Sequence, residues 1–287
     1  MINFKDSFKN RRSNMQAFVI FVLSLLISIF SPYVYAENII YPEIHCKHFF
    51  YGYPTGTPAT NDLIIRDIYA LSSNDETKLA DWVAYRLDEE TISGSPKKDR
   101  DFKKDPWLDD RETLEPDDYK SANKSLKVQK GHQAPLASFK GTKYWRDTNY
   151  LSNITPQKTD LNQVPWKVLE DKERKMVEKY KVVYVITGTL YEKEMEPLPN
   201  ADEPHKVPSG YWKIIIIQTT KKPDSIKTAS FIFDQETPKK DKIISHLTTI
   251  NEIEKRSGLD FLRELSDDIE EQIESSKNQE WAVVNFN

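Results

Sequence analysis

The chain of 287 residues has a single cysteine, Cys46, so no disulfide can form within it. Its stability must come from packing and polar contacts alone, even in a compartment that would permit disulfides. His45, Cys46 and His48 lie close together in sequence, but no second cluster of soft ligands accompanies them. A closed tetrahedral zinc site needs four such ligands, so this stretch reads as a loop with a free thiol. An overall excess of positive charge is missing as well, since the formal net charge is −4. That balance argues against a generic polyanion binder. No internal repeat is visible, which excludes solenoid and propeller architectures.

Long apolar runs are confined to the N-terminus. Lys5, Lys9, Arg11 and Arg12 precede an uncharged apolar stretch over 17–30, and Val34-Tyr35-Ala36 follows. The stretch is shorter than the roughly 20 residues a transmembrane helix needs. A basic segment, a short apolar segment and small residues at a cut position form the pattern of a secretory signal peptide. Residues 1–36 are therefore expected to be removed after Ala36, and an uncleaved anchor is the alternative. No cysteine stands at the cut, which argues against a lipoprotein. Export to the periplasm or the medium is expected, without stable membrane association after cleavage. Residues 37–287 are long enough for one large domain.

Removing residues 1–36, with their net charge of +3, from a chain of −4 leaves −7. Residues 127–181 nevertheless carry twelve Lys/Arg against six Asp/Glu, a local excess of +6. A basic surface on an acidic protein can hold phosphates locally. A solvated lysine-rich helix face would account for part of that excess.

Hydrophobic patterning predicts strands over 63–71 and 81–87, joined by the polar turn Ser72-Ser73-Asn74-Asp75. Residues 88–123 are charged and poor in aliphatics, and read as a long loop kept within the domain. Residues 162–180 read as a helix, with Pro165 in its first turn. Asn162, Trp166 and Glu170 follow at i, i+4 and i+8, along one face. Strands are expected over 181–191, 211–220 and 227–234, and helices over 250–256 and 265–275. This order gives an α+β fold with a central antiparallel sheet flanked by helices.

The chemistry concentrates between 127 and 170. Lys130-Gly131-His132-Gln133-Ala134-Pro135 follows a short β-prone run, and Gly131 is expected to let the backbone turn sharply. Asn149 to Gln157 and Asp160 to Gln163 come next, and Glu170 lies on the helix. An imidazole with a near-neutral pKa can take a proton from water. Carboxamide and carboxylate oxygens suit a hard cation such as Mg²⁺.

These residues resemble the DNA/RNA non-specific endonucleases, the ββα-metal (His-Me finger) nucleases, and in particular their secreted members. The likeness is carried by 131–138, 149–157, 160–163, 169–175 and 187–192, and extends loosely over 53–262. It implies hydrolysis of DNA and RNA phosphodiesters with little sequence preference and 5′-phosphate ends. Mg²⁺ is the implied cofactor, with Mn²⁺ as the alternative, and a homodimer is compatible with the family. His132 matches the family's general base, for which a hydrogen-bonded structural histidine is the alternative. Asn162 matches the direct metal ligand, or else caps the helix. Glu170 matches the carboxylate that orients water at the metal, or else pairs with Arg174. Asn153 matches a site carboxamide, or else holds a loop. Arg174 and Arg100 align with arginines near the scissile phosphate, where the guanidinium fork binds two oxygens.

The family signature Asp-Arg-Gly-His reads Gln129-Lys130-Gly131-His132 here. Lys130 keeps the charge but not the fork. A binding protein with weak or no activity is therefore one rival reading. A phosphodiesterase of small substrates is another.

Overall fold

The computed structural model describes residues 41–95 and 100–287, so the expected signal peptide over 1–36 lies outside the described residues. Nine strands are assigned in this range. The first three are β1 (Asp62–Ile65), β2 (Ala70–Asn74) and β3 (Leu79–Leu87). They are followed by β4 (Val128–His132), β5 (Ile154–Lys158), β6 (Val183–Leu190), β7 (Gly210–Gln218), β8 (Ile226–Asp234) and β9 (Leu247–Thr248). Seven form one sheet in the order β1-β2-β3-β6-β7-β8-β9, and β4 and β5 form a separate two-stranded ladder. All named pairings are antiparallel. The helices are α1 (Glu89–Ile92), α2 (Ala122–Leu126), α3 (Lys167–Tyr180), α4 (Ile250–Ser257), α5 (Asp267–Glu274) and α6 (Gln279–Phe286). Residues 43–287 form one compact unit.

Alternation along the strands builds the layers. In β3, Val83 and Tyr85 join one buried cluster while Trp82 and Ala84 join another. In β7, Tyr211 and Ile215 face the first cluster and Trp212, Ile214 and Ile216 the second. Side chains of a strand point alternately to opposite faces, so a run such as Ile214–Ile217 is apolar throughout because both faces are covered. The first face receives Leu169, Met176 and Val177 of α3 and Ala282 and Phe286 of α6. The second receives Ile250 and Ile253 of α4 with Phe261 and Leu262. Thr249 caps α4 by accepting from the Glu252 N–H at 3.1 Å, and Gly258 ends it at φ +75°. A residue without Cβ is suited to that left-handed position.

The α+β expectation with its central antiparallel sheet is met, and three local expectations are corrected. The predicted strand over 63–71 is two strands, broken where Arg66 N–H donates to the Tyr69 carbonyl at 2.8 Å. Its supposed following turn lies inside β2 as far as Asn74. Gly131 makes no sharp turn and sits within β4, opposite Thr155. A Cβ there would lie 2.3 Å from Gln157 Oε1, so the glycine serves the close approach of β5's side chain.

One polar network crosses the first core. Lys213 Nζ lies 2.7 Å from Glu173 Oε1 and 3.2 Å from Tyr85 Oη, and Tyr85 donates to Glu173 Oε2 at 2.9 Å. Both charged side chains are fully buried. Lys213 Nζ also lies 4.5 Å from the centroid of the Trp166 ring. Removing one member of a buried ion pair strands the other charge, at a cost of about 3–5 kcal/mol. Lys213→Ala should therefore lower unfolding stability by about that amount, read by urea denaturation. Lys213→Met combined with Glu173→Gln should recover much of the loss; equal instability of single and double variants would contradict this account.

Candidate active site

The site is a strand–loop–strand–helix unit laid against the sheet. β4 ends at His132, β5 returns beside it, and the chain enters a helical turn at Thr159–Leu161. A π-helical turn, Asn162–Trp166, leads into α3. Pro165 inside this turn cannot donate a backbone hydrogen bond, which favours the widened ladder. The unit is tied to the sheet by buried polar contacts. Gln133 Nε2 donates to Thr155 Oγ1 at 3.2 Å while Thr187 Oγ1 of β6 donates to Gln133 Oε1 at 3.0 Å. Tyr211 Oη and Gln235 Nε2 donate to the Pro156 carbonyl at 2.8 and 2.9 Å.

A cleft of about 320 Å³ brings together Arg100, Lys130, His132, Asn162, Glu170 and Arg174, with Phe102 on its wall. Six of the seven expected site residues thus share one concavity. A larger cleft of about 470 Å³, lined by Ile226, Ile269 and Ser276 among others, contains no imidazole or carboxylate in its lining. Its titratable lining consists of Lys222 and Lys227.

His132 is half-buried, and its Nε2 lies 3.1 Å from Asn149 Oδ1. With that oxygen accepting, Nε2 carries the proton and Nδ1 is left as the basic atom. Burial holds the imidazole down at about 4, against the opposing pull of the Asn149 hydrogen bond. The ring is therefore neutral, and able to accept a proton, throughout the neutral range. Phe102 packs beside it at 5.7 Å between centroids, and Trp166 Nε1 donates to its backbone carbonyl at 3.3 Å.

Asn162 has helical backbone angles, φ −61° and ψ −42°, and the chain is helical on both sides of it. It is therefore not an N-cap, and that alternative falls. Its Nδ2 donates to Gln129 Oε1 at 3.0 Å, which leaves Oδ1 available to a cation. Glu170 shares the cleft, whereas Trp166 between them is fully buried, so the three do not form one exposed face. Burial pushes the Glu170 carboxyl up to about 7, eased by Lys213 and reinforced by Glu173. Arg174 does not pair with Glu170; its guanidinium bonds Asp171 and, at 3.0 Å, Ser138 Oγ.

Lys130 is half-buried, with Nζ 5.3 Å from the Phe102 ring, 5.0 Å from the Tyr119 ring and 3.3 Å from the Pro116 carbonyl. Burial lowers its pKa, opposed by Asp117 and Asp118. Arg100 is exposed at the rim. Asn153 stands apart. It is fully buried and commits its carboxamide to backbone, donating to the Ala134 and Thr148 carbonyls and accepting from Ala134 N–H. This geometry matches the loop-holding alternative, behind the site rather than in it.

The residue model of the DNA/RNA non-specific endonucleases matches residues 49–268. This chain belongs to that family. It is 46% identical over 226 residues to a nuclease of Serratia marcescens, covering 78% of this chain and 83% of that protein. It is 28% identical over 226 residues to human mitochondrial endonuclease G, covering 72% and 71%. Among solved structures, the EndoG/EndoGI complex matches with a TM-score of 0.65 at 23% identity, over 75% of this chain and 90% of that one. The fold is the ββα-metal nuclease fold, and the protein is a DNA/RNA endonuclease.

The sequence alone did not single out Asn149 or Phe102, and marked Gln129 only as a departure from the family signature, not as a partner of Asn162. The signal for Asn149 was present, because a histidine base needs a partner on its other nitrogen. Gln129 replaces a family acid and still orients Asn162 through its carboxamide oxygen.

The elevated Glu170 pKa has a consequence for stability. A carboxyl whose folded pKa lies above its unfolded value binds protons more tightly in the folded state. Its favourable contribution is complete below about pH 4.5 and is lost as pH rises to about 7. In chelator, Glu170→Gln should thus leave Tm unchanged near pH 4.5 and raise it at pH 8. A Tm difference that is the same at both pH values would refute the assignment.

Proposed function

We propose that the protein is an exported, Mg²⁺-dependent enzyme that cuts DNA and RNA with little sequence preference and leaves 5′-phosphates. The observation that supports this most directly is the joint presence of a neutral imidazole, an uncommitted carboxamide oxygen, a half-buried carboxylate and four cations (Arg100, Lys130, Lys167 and Arg174) in one cleft. The donor set fits a hard divalent ion: Asn162 Oδ1 would hold it, with Glu170 accepting from water in its shell. Bound there, the ion would supply charge neutralisation at the phosphate oxygens.

The chain's own residues account for the remaining work. Nδ1 of His132 takes a proton from the attacking water, while Asn149 fixes the tautomer and the ring plane. Arg174, aimed by Ser138 and Asp171, and Lys130, seated between two rings, meet the phosphate charge. Gln129 keeps Asn162 facing the cleft.

Nicking of supercoiled plasmid and hydrolysis of RNA, each with and without chelator, test this reading. His132→Ala should lose about 10²–10⁴ in rate while retaining binding. Asn162→Ala should instead raise the Mg²⁺ concentration giving half-maximal activity. Undiminished cutting by His132→Ala would remove that residue from the chemistry, and chelator-insensitive cutting would remove the cation.

Export rests on the charge and hydropathy pattern of residues 1–36. No helix among the described residues is long and apolar enough to cross a membrane. N-terminal sequencing of the exported protein should begin Glu37-Asn38-Ile39; a chain that retains Met1 in the membrane fraction would contradict this.

A further inference from the structure

We propose that Trp107 is a stacking platform for an unpaired base of the nucleic-acid substrate, placed beside the cleft by a buried ion pair. This rests on the nuclease reading above and adds a subsite to it. Trp107 is 59% exposed, more than any other aromatic residue among the described ones. An indole left so open loses solvation-driven stabilisation unless something covers it. Yet it is not a loose side chain. The Arg66 guanidinium lies 3.9 Å from its ring centroid, and the Tyr150 ring centroid lies 4.4 Å from the same guanidinium. Arg66 is in turn fixed by Asp105, and the two side chains are 5% and 0% exposed. Asp105 Oδ1 also accepts from the Trp107 N–H at 3.0 Å, and its Oδ2 accepts from Ser152 Oγ at 2.5 Å. One face of the indole is therefore pinned from beneath and the other is presented outward.

The placement ties this ring to the catalytic unit. Tyr150 directly follows Asn149, the partner of His132. Lys103 N–H donates to the Asn149 carbonyl at 3.2 Å, and the Lys103 carbonyl accepts from Leu151 N–H at 2.8 Å. Phe102, one residue earlier, packs on the His132 ring. Trp107 follows Phe102 by five residues, a span of at most about 18 Å. At a rise of about 3.4 Å per nucleotide, a base on Trp107 would belong within about five nucleotides of the scissile bond.

The chemistry favours a base over other occupants. Aromatic side chains stack on any base, and a pinned ring does so with little loss of freedom. A cation beneath the ring draws π density inward, so the outer face suits an electron-rich purine. Bases inside a duplex have no free face, so the subsite would act on single strands and frayed ends.

The test compares the wild type with Trp107→Leu, which covers the Arg66–Asp105 pair without an aromatic face, and with Trp107→Phe. Steady-state cleavage is measured on a single-stranded DNA oligonucleotide and on its duplex. Stacking predicts that Leu raises the single-strand KM relative to the duplex KM by on the order of 5- to 100-fold, and that Phe restores most of it. In chelator, single strands carrying 2-aminopurine at successive positions should be quenched by the wild type at one position, and not by Trp107→Leu. Unchanged KM ratio and quenching in Trp107→Leu would overturn the subsite. So would an equal fall in kcat on both substrates without rescue by Phe, which is the signature of a mere cover over the ion pair. A change of oligomeric state in Trp107→Leu would assign the ring to a contact between chains instead. If the wild type cut neither substrate, the nuclease reading would fail, while the 2-aminopurine scan would still report on stacking.

Discussion

The buried contact between Lys213 and Glu173 seats helix α3, and with it Glu170 and Arg174, on the sheet beside the cleft. Lys213 comes from the middle of the sheet and Glu173 from the inward side of α3, one turn after Glu170. Two fully buried charges are costly unless their remaining hydrogen-bonding capacity is met, and Tyr85 of β3 meets part of it. The pair admits one seating of the helix on the sheet, since sliding by a residue would separate the charges in a medium with no water to replace either. Apolar contacts of Leu169, Met176 and Val177 supply cohesion, but such contacts tolerate small displacements more readily than a pinned ion pair does. The same ammonium faces the Trp166 ring, whose Nε1 holds the His132 carbonyl. A single lysine thereby communicates with His132 through one residue and with Glu170 through its own field.

Around the cleft, four side chains have partners that limit their freedom. Asn149 fixes His132, Gln129 fixes Asn162, Ser138 and Asp171 fix Arg174, and two rings with a carbonyl fix Lys130. Polar atoms held in advance do not have to reorganise as charge develops on a phosphate, which is where most electrostatic catalysis originates. The replacement of the family's Asp-Arg by Gln129-Lys130 fits this pattern. A carboxamide oxygen can accept from Asn162 as a carboxylate would, at lower local negative charge. The ammonium, lacking a planar fork, is positioned by aromatic faces instead of by paired donors.

Much of this was legible in the sequence, for identifiable reasons. Strands β6, β7 and β8 announce themselves through β-branched and aromatic runs, and α3 through its apolar spacing. His132, Asn162 and Glu170 were legible because a shared motif carried them. What the sequence concealed depends on distant partners. The expected strand over 63–71 breaks at Arg66, which turns the chain toward Tyr69 and sends its guanidinium to Asp105, a residue in the long charged loop. Helix α6 was missed because Trp281, Val283 and Val284 spread its apolar residues around the axis, leaving no period to read. Asn153 carried the motif yet spends its carboxamide on three backbone groups, a commitment visible only in three dimensions.

The long loop is the clearest case of sequence reasoning stopping short. Its composition, charged and poor in aliphatics, predicts solvent exposure and little more. In the structure its polar residues form the frame of one wall of the site. Asp105 simultaneously accepts from Arg66, Ser152 and the Trp107 backbone, and is fully buried while doing so. A carboxylate can be buried without a large penalty when several donors converge on it, and here the donors come from β1's turn, the segment before β5 and the loop itself. The segment is thus held both by this acid and by an apolar cluster in which Leu114, Tyr119 and Ala122 pack with Leu79, Val128, Leu151 and Ile154. Phe102 against His132 and the Lys130 seat between Phe102 and Tyr119 therefore depend on this apolar cluster as well as on polar anchoring some residues away. Between residues 100 and 123 the chain can thus carry many charges and still present a defined surface to a polyanion.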